Sequence, residues 1–238
     1  MSEIVDVTGD GRSEGVRRAA EALRDGQVVV LPTDTRYGLA ADAFDQRGTA
    51  EVFVVKRSLR RFPLPVLVRS PKQLTGLTTT LPEAADRLVA AFWPGPLTIV
   101  VVAEPNLQWD LGESEGTVAV RMPLDDVALD VIREVGPLAV TSANRWGLAH
   151  TSSAQEVRDQ LGDAVALYLD DGPRDAATVS TIVDLTRSEP HVLREGALPA
   201  DRVLAVAAGE IDPADAALDD PDHSAGAVLD DPDPPAEG

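Results

Sequence analysis

The sequence predicts a single α/β domain, and three observations carry that prediction. Short apolar runs at 28–31, 97–102 and 138–140, several of them rich in β-branched residues, read as buried strands. Stretches with apolar residues at helical spacing lie between them. The chain has no internal repeat and no convincing linker before about residue 209, so one domain is the economical reading.

In chain order, Ser13 reads as the cap of a helix whose Val16, Ala19, Ala20 and Leu23 follow the i, i+3, i+4, i+7 pattern, with Gly26 as its stop. The strand 28–31 ends at Pro32, which removes a ladder donor. A loop of hydroxyls and one carboxylate follows (Thr33, Asp34, Thr35, Tyr37), closed by Gly38. Polar loops at strand ends are where α/β folds place ligands, although an ordinary turn is an equal reading of these residues alone. A short helix over 49–55 delivers Lys56 and Arg57 to its C-terminal end, and 63–68 reads as a strand. Thr80 to Glu83 has the form of a capping box with Pro82 in the first turn, opening a helix through 91. Trp93-Pro-Gly-Pro96 breaks that helix and feeds the strand 97–102.

Further on, 117–121 is a strand ended by Met122-Pro123, and Asp125 or Asp126 caps a helix to about 135. The strand 138–140 runs into a second hydroxyl-and-amide loop, Thr141-Ser-Ala-Asn144. Ser152 and Ser153 head a helix to 161, 164–169 is a strand, and 180–184 and 192–194 close the core. A helix around 202–208 comes last. Residues 209–238 read as an acidic disordered tail: 210–238 holds ten acids and no Lys or Arg, and setting those ten charges aside leaves −9 of the formal −19.

Composition narrows the chemistry. Hydrophobic residues make up 44% of the chain, enough for a globular core, and there is no cysteine for a disulfide or a thiolate metal site. The longest apolar run, 97–103, is too short to span a bilayer. The N-terminus carries neither the basic nor the apolar region of a signal peptide, so a soluble, cytoplasmic protein with no membrane partner is expected. Neither a G-x-x-x-x-G-K-[ST] phosphate loop nor a G-x-G-x-x-G follows any strand. His150, His191 and His223 have no metal-ligand spacing and no nucleophile elbow beside them, and they read as incidental; no metal ligand is assigned.

The positive signal is a set of cations and hydroxyls at element ends. Lys56 is one of two lysines among 21 basic residues, so a compact point charge is singled out there; a solvated lysine at a helix C-terminus is the competing reading. Arg121 ends an apolar strand, where a guanidinium suits bidentate capture of a carboxylate or phosphate, with a structural ion pair as the alternative. Arg194 has the same placement before Gly196.

Together these segments resemble the YrdC-like family. Pro32-Thr-Asp-Thr-Arg-Tyr-Gly-Leu39 resembles its PT(E/D)TVYGL motif, and Lys56 followed by Pro63 resembles its K-x-R-P-x-x-x-P stretch. Pro94-Gly-Pro-Leu-Thr98, Val120-Arg-Met-Pro123, Thr141-Ser-Ala-Asn144, Ser180-Thr-Ile-Val-Asp184 and Leu193-Arg-Glu-Gly196 match later motifs in order, over about residues 13–208. The Arg-rich composition and the segment 107–112 look actinobacterial.

The resemblance implies a twisted mixed β-sheet flanked by helices around a central, positively lined cavity, in a catalytic domain over 1–208. It also implies L-threonylcarbamoyladenylate synthase activity: L-threonine, bicarbonate and ATP give threonylcarbamoyl-AMP and pyrophosphate. ATP is then a substrate, Mg²⁺ is expected with it, and the product passes to a tRNA threonylcarbamoyltransferase. By position, Thr35, Arg121, Thr141 and Ser180 would hold threonine, with Arg121 on its carboxylate and hydroxyls and carbonyls on its ammonium. Lys56, Thr117, Ala143, Thr151 and Arg194 would contact ATP, and Ser142 and Asn144 would complete the catalytic wall with Lys56 and Arg121. No residue stands out as a general base. Adenylation of this kind depends on positioning and charge stabilisation.

The chain also departs from the family. Ser58 stands where the family has arginine, and Arg60 or Arg57 is expected to substitute for it on ATP. Leu59 replaces a proline, Phe62 a polar ATP contact, Leu67 a frequent histidine, Trp146 a small serine, and Arg36 the usual valine. Two function classes therefore stand. One is the active synthase; the other is a non-catalytic paralogue that binds nucleotide or double-stranded RNA. The body charge of −9 leaves room for only weak RNA binding, since phosphate neutralisation needs a basic face. A carbamoyl transferase using carbamoyl phosphate is a smaller third reading.

Overall fold

The computed structural model describes residues 2–175 and 178–216. Ten strands, β1 (Glu3–Asp6), β2 (Val29–Leu31), β3 (Gly38–Asp42), β4 (Val66–Leu67), β5 (Leu97–Val102), β6 (Thr117–Arg121), β7 (Leu138–Ser142), β8 (Leu167–Asp170), β9 (Thr181–Asp184) and β10 (His191–Arg194), form one sheet. Their order is β1-β8-β2-β3-β7-β4-β6-β5-β9-β10. Four pairs are parallel (β1/β8, β2/β8, β4/β6, β5/β9) and the other five antiparallel, so the sheet is mixed.

Helices cover both faces, and the cover is unequal. Alternation along β2 sends Val28 and Val30 to one side and Val29 and Leu31 to the other, as a doubly covered strand requires. On the first side pack α2 (Gln46–Lys56), α4 (Glu83–Phe92), α6 (Ala154–Leu161) and α7 (Ala200–Ala208), through residues such as Val52, Leu88, Val157 and Val206. On the second pack α1 (Arg12–Arg24) and α5 (Asp126–Val135), through Ala19, Leu23, Val131 and Ile132. That second cluster takes residues from β2, β3, β4, β7 and β8 and none from β5, β6 or β9. The face of β6-β5-β9 that carries Thr117, Arg121 and Thr98 therefore lies outside the second core, and the candidate site forms there.

Local chemistry explains most boundaries. Asp45 caps α2 by accepting from the Arg47 and Gly48 amides, so this helix is longer than the expected 49–55. Asp125 caps α5 through the Ala128 amide, and Ser153 caps α6 through that of Glu156, both as expected. Two expected caps fail. The Gly15 amide already bonds the Gly11 carbonyl, so α1 begins at Arg12 and Ser13 lies inside it. Glu83 pairs with Arg87 one turn on, and Pro82 stands at the N-cap without a side-chain bond, so the Thr80 box does not form. The expected strand 63–68 contracts to β4, since the Leu64 amide donates to the Leu111 carbonyl (2.8 Å) instead of to a neighbouring strand.

Three elements were not expected: β1, the one-turn α3 (Leu74–Leu77) and β3. The third is central. Gly-Leu-Ala-Ala-Asp carries no β-branched residue, yet β3 joins β2 to β7. Gly38 is required there, because a Cβ would come within 2.5 Å of Val140 Cγ1. At the C-terminal end, the packed body extends past the expected boundary at 208. Ile211 packs on the core, Asp212 caps a 3₁₀ turn at Pro213–Asp215, and Ala216 is fully buried. The rest of the expected tail, 217–238, lies outside the described residues.

This boundary is testable by truncation. A chain ending at Ala216 should melt several degrees above one ending at Gly209, because the shorter chain loses the Ile211 and Ala216 contacts, worth roughly 2 kcal/mol in buried apolar surface. Equal melting temperatures for the two truncations would place the boundary back at 208.

Candidate active site

Arg121, at the end of β6, is buried with its side chain 8% exposed. Its Nε donates to the Gly95 carbonyl (3.0 Å), Nη1 to Thr35 Oγ1 (3.0 Å), and Nη2 pairs with Asp34 Oδ1. Burial pulls the guanidinium below its usual pKa, while Asp34 and Asp125 oppose that shift. The Asp34 side chain is itself 11% exposed, and its second oxygen, Oδ2, is buried with no hydrogen-bond partner among the described residues. A carboxylate oxygen in that state still lacks a donor.

The loop between β2 and β3 holds this arrangement in place. Thr33 Oγ1 donates to the Arg36 carbonyl (2.6 Å) and accepts from the Thr35 and Arg36 amides (3.2 Å each), which fixes the turn that points Thr35 at Arg121. Arg174 braces the same loop: its Nε donates to the Thr33 carbonyl (3.1 Å) and its Nη2 to Asp125 (3.2 Å) and Asp171. Burial raises the Asp125 carboxyl above its ordinary value, although the Ala128 amide and Arg174 act the other way. Across the strands, Ile99 opposite Val120 sets Thr98 beside Arg121. Thr98 Oγ1 donates to Ser180 Oγ (2.9 Å), and Arg194 donates to the Ser180 carbonyl (2.9 Å) and hydroxyl (3.1 Å). Gly196 packs against the Ser180 peptide so closely that a Cβ would lie 2.6 Å from its carbonyl carbon.

Lys56 anchors a second cluster. Its Nζ donates to Ser142 O (2.9 Å), Ser142 Oγ (3.0 Å), Asn144 Oδ1 (3.0 Å) and Asn144 O (3.1 Å). The Ser142 hydroxyl bonds Asn144 Oδ1 (2.8 Å), and Asn144 Nδ2 donates to the Leu148 carbonyl (2.9 Å). The Thr151 hydroxyl donates to the Ala143 carbonyl (3.3 Å). Backbone bonds tie this cluster to the first, because the Ala143 amide donates to the Tyr37 carbonyl (2.9 Å), two residues past Thr35.

Arg121, Thr35 and the Ser180–Arg194 pair thus form one cluster, and Lys56, Ser142, Ala143, Asn144 and Thr151 another. Thr141 lies in β7 opposite Leu39 and is not among the residues bonded to Arg121. Thr117 shares a face of β6 with Arg121 but stands four residues up the strand, about 13 Å away, and its hydroxyl donates to the Ser114 carbonyl (2.8 Å). Arg60 is paired with Asp110 and lies over the Phe53 ring at 4.9 Å, so the expected substitute for the arginine absent at 58 is engaged elsewhere. Thr98 and the Gly95 carbonyl were missed as individual site groups, and Thr33 and Asp34 were singled out only as members of the polar loop after β2. Asp34 and Thr98 sat inside quoted motifs, but contact with Arg121 or Ser180 is not visible in spacing. Two departures from the family are one structural unit: Phe62 and Trp146 stack with ring centroids 4.7 Å apart.

Among the described residues, no group of three or more His, Asp or Glu side chains is placed to hold a metal ion. The described residues therefore offer no cage for the expected Mg²⁺. No helix among them is long and apolar enough to cross a membrane.

The chain as a whole is similar to proteins of one family. The Sua5/YciO/YrdC family model, described as telomere recombination, matches residues 21–196. A Mycobacterium tuberculosis protein provisionally named threonylcarbamoyl-AMP synthase is 48% identical over 207 residues, 87% of this chain and 95% of that one. The threonylcarbamoyl-AMP synthase of Bacillus subtilis is 34% identical over 85% of this chain and 60% of its own. The crystal structure of Pyrococcus abyssi Sua5 complexed with L-threonine superposes at TM-score 0.82, with 34% identity over 86% of this chain. This chain spans about three-fifths of that archaeal structure. Escherichia coli YciO, at 24% identity and TM-score 0.75, shares the fold.

The Lys56 cluster gives a direct prediction. Lys56→Met leaves four oxygens facing an apolar side chain, so it should lower stability by on the order of 3 kcal/mol, read as a fall in the urea midpoint. A variant as stable as the parent would mean that these oxygens do not depend on the ammonium.

Proposed function

Because the chain belongs to the Sua5/YciO/YrdC family, we propose that it is a threonylcarbamoyl-AMP synthase, converting L-threonine, bicarbonate and ATP to threonylcarbamoyl-AMP and pyrophosphate. The observation that carries the reading is the Arg121–Asp34 pair. Three of the five guanidinium N–H groups of Arg121 are used by Gly95, Thr35 and Asp34, which leaves one on each terminal nitrogen. Those two suit a carboxylate taken end-on. The Asp34 oxygen without a partner lies beside them and suits an ammonium. An α-amino acid carries both charges two bonds apart, so a fixed guanidinium–carboxylate pair complements it as a zwitterion.

In this scheme Arg121 would hold the carboxylate of threonine, with Thr35, Thr141 and Ser180 around the rest of the molecule. Asp34 would hold the ammonium until it gives a proton to bicarbonate, which splits into water and CO2; the free amine adds to that carbon and sheds a second proton to solvent, giving the carbamate. An oxygen of the resulting carbamate attacks the α-phosphorus of ATP, and pyrophosphate leaves with the bridging electron pair. Lys56 would keep the Ser142–Asn144 loop in shape beside that phosphate, with Ala143, Thr151, Thr117 and Arg194 along the nucleotide. Any Mg²⁺ would arrive bound to the triphosphate. The product would pass, in the cytoplasm, to a tRNA threonylcarbamoyltransferase, and weak RNA contact would be incidental to catalysis. The L-threonine complex of the archaeal relative favours this reading over a paralogue that only binds nucleotide or RNA.

Pyrophosphate release should require both threonine and bicarbonate; equal release without amino acid, or with any amino acid offered, sinks the assignment. Within an active enzyme, Arg121→Lys should raise the threonine KM at least tenfold, because lysine keeps the charge and loses the planar pair of donors. Asp34→Asn should also raise it, with the ATP KM little changed. Unchanged threonine dependence in both variants would make the pair purely structural.

A further inference from the structure

We propose that Arg174 is a positioning residue for threonine, setting the place of Asp34 and Thr35 through the Thr33 carbonyl. This deepens the reading above and rests on it. Arg174 falls outside every motif that carries the family resemblance. All three nitrogens of its guanidinium are engaged by protein oxygens. Nε donates to the Thr33 carbonyl (3.1 Å), Nη1 to the Asp171 carbonyl (3.0 Å), and Nη2 to the Asp125 (3.2 Å) and Asp171 carboxylates. A group so engaged acts through what it holds.

What it holds is one end of the loop that faces Arg121. The Thr33 carbonyl belongs to the planar peptide joining Thr33 to Asp34, so fixing that oxygen fixes the plane from which Asp34 departs. At the other end, the buried Tyr37 hydroxyl donates to the Gly172 carbonyl (2.7 Å) and accepts from the Asp171 amide (3.1 Å). The segment 170–174 after β8 thus grips residues 33 and 37, and the two groups that meet Arg121 lie between those grips. Bonds from Thr33 Oγ1 shape the loop internally, but a bond within a loop does not fix where it stands relative to β6. A bond to another segment does.

The brace is itself anchored. The Arg174 amide donates to the Ser152 carbonyl (2.7 Å), next to the Ser153 cap of α6, and the Ala128 amide holds Asp125 (2.9 Å) at the head of α5. The Arg174 and Asp125 side chains are 19% and 7% exposed, so solvent screens their contact little. One planar fork therefore serves a carbonyl in one direction and two carboxylates in another. A lysine would keep the charge beside Asp125 and Asp171 and lose the second direction.

The threonine KM reads this role, because partial unfolding lowers kcat with the active fraction and leaves KM alone. Arg174→Lys should raise the threonine KM about tenfold, with the ATP KM within twofold of the parent. Arg174→Gln, shorter and uncharged, should raise it at least as far and stands in if the lysine variant does not fold. Combined with Asp34→Asn, either change should raise it well short of the product of the single effects, because both act on one contact to the ammonium. Threonine KM within twofold of the parent, equal rises in both KM values, or a fully multiplicative double variant overturns the brace. Calorimetric titration with L-threonine separates it from the reaction. Weaker binding by Arg174→Lys, beside a parent that binds threonine and releases no pyrophosphate, upholds the brace and ends the synthase reading. A parent that releases pyrophosphate while Arg174→Lys keeps its threonine affinity overturns the brace alone. A parent that binds no threonine overturns both.

Discussion

A buried ion pair needs every one of its remaining donors and acceptors matched, and that requirement at Arg121 and Asp34 organises the centre of this molecule. Removing a guanidinium from water costs several kcal/mol unless its N–H groups find oxygens. Here three come from three separate pieces of chain: the Gly95 carbonyl, the Thr35 hydroxyl and Asp34. Each source has its own support. The Trp93 indole, which donates to the Leu97 carbonyl (2.7 Å), braces the turn that presents Gly95. Thr33 shapes the loop that presents the other two groups. What stays unmatched is one acceptor on Asp34 and one donor on each end of Arg121, and an amino acid would complete that set.

The sheet makes such a site possible by leaving half a face without a core. Helices α1 and α5 pack over β2, β3, β7 and β8, and their apolar cluster stops at β4. Beyond it, the same face of β6, β5 and β9 carries hydroxyls and cations at positions that would otherwise be apolar: Thr117, Arg121 and Thr98, with Ser180 just ahead of β9. Desolvation is then partial by design of the layers. Groups at the edge of the core are buried enough to be rigid and near enough to solvent to be reached.

The two clusters differ in how their cations are used. Lys56 already has four protein oxygens, so its charge keeps a loop in shape. Arg121 is held by three and has two donors left. The acidic excess of the chain sharpens this difference, because most arginines are neutralised by nearby carboxylates.

By itself the sequence determined the class of fold, most of the strands and helices, and the polar loops at their ends. These follow from periodicity and capping, which are local: β5, β6 and β9 were legible as apolar runs, and Asp125 and Ser153 as caps. Ordered motifs also identified the family and brought Thr35, Lys56, Arg121, Ser142 and Ser180 into view. β3 was not legible, because a Gly-Leu-Ala-Ala strand is stable only between β2 and β7, where Gly38 lets β7 approach. Nor was the pairing of Phe62 with Trp146, or the engagement of Arg60 by Asp110. Only the tertiary structure decided that Asp34 meets Arg121 across 87 residues, because which oxygen answers a buried donor depends on what the fold brings within 3 Å of it.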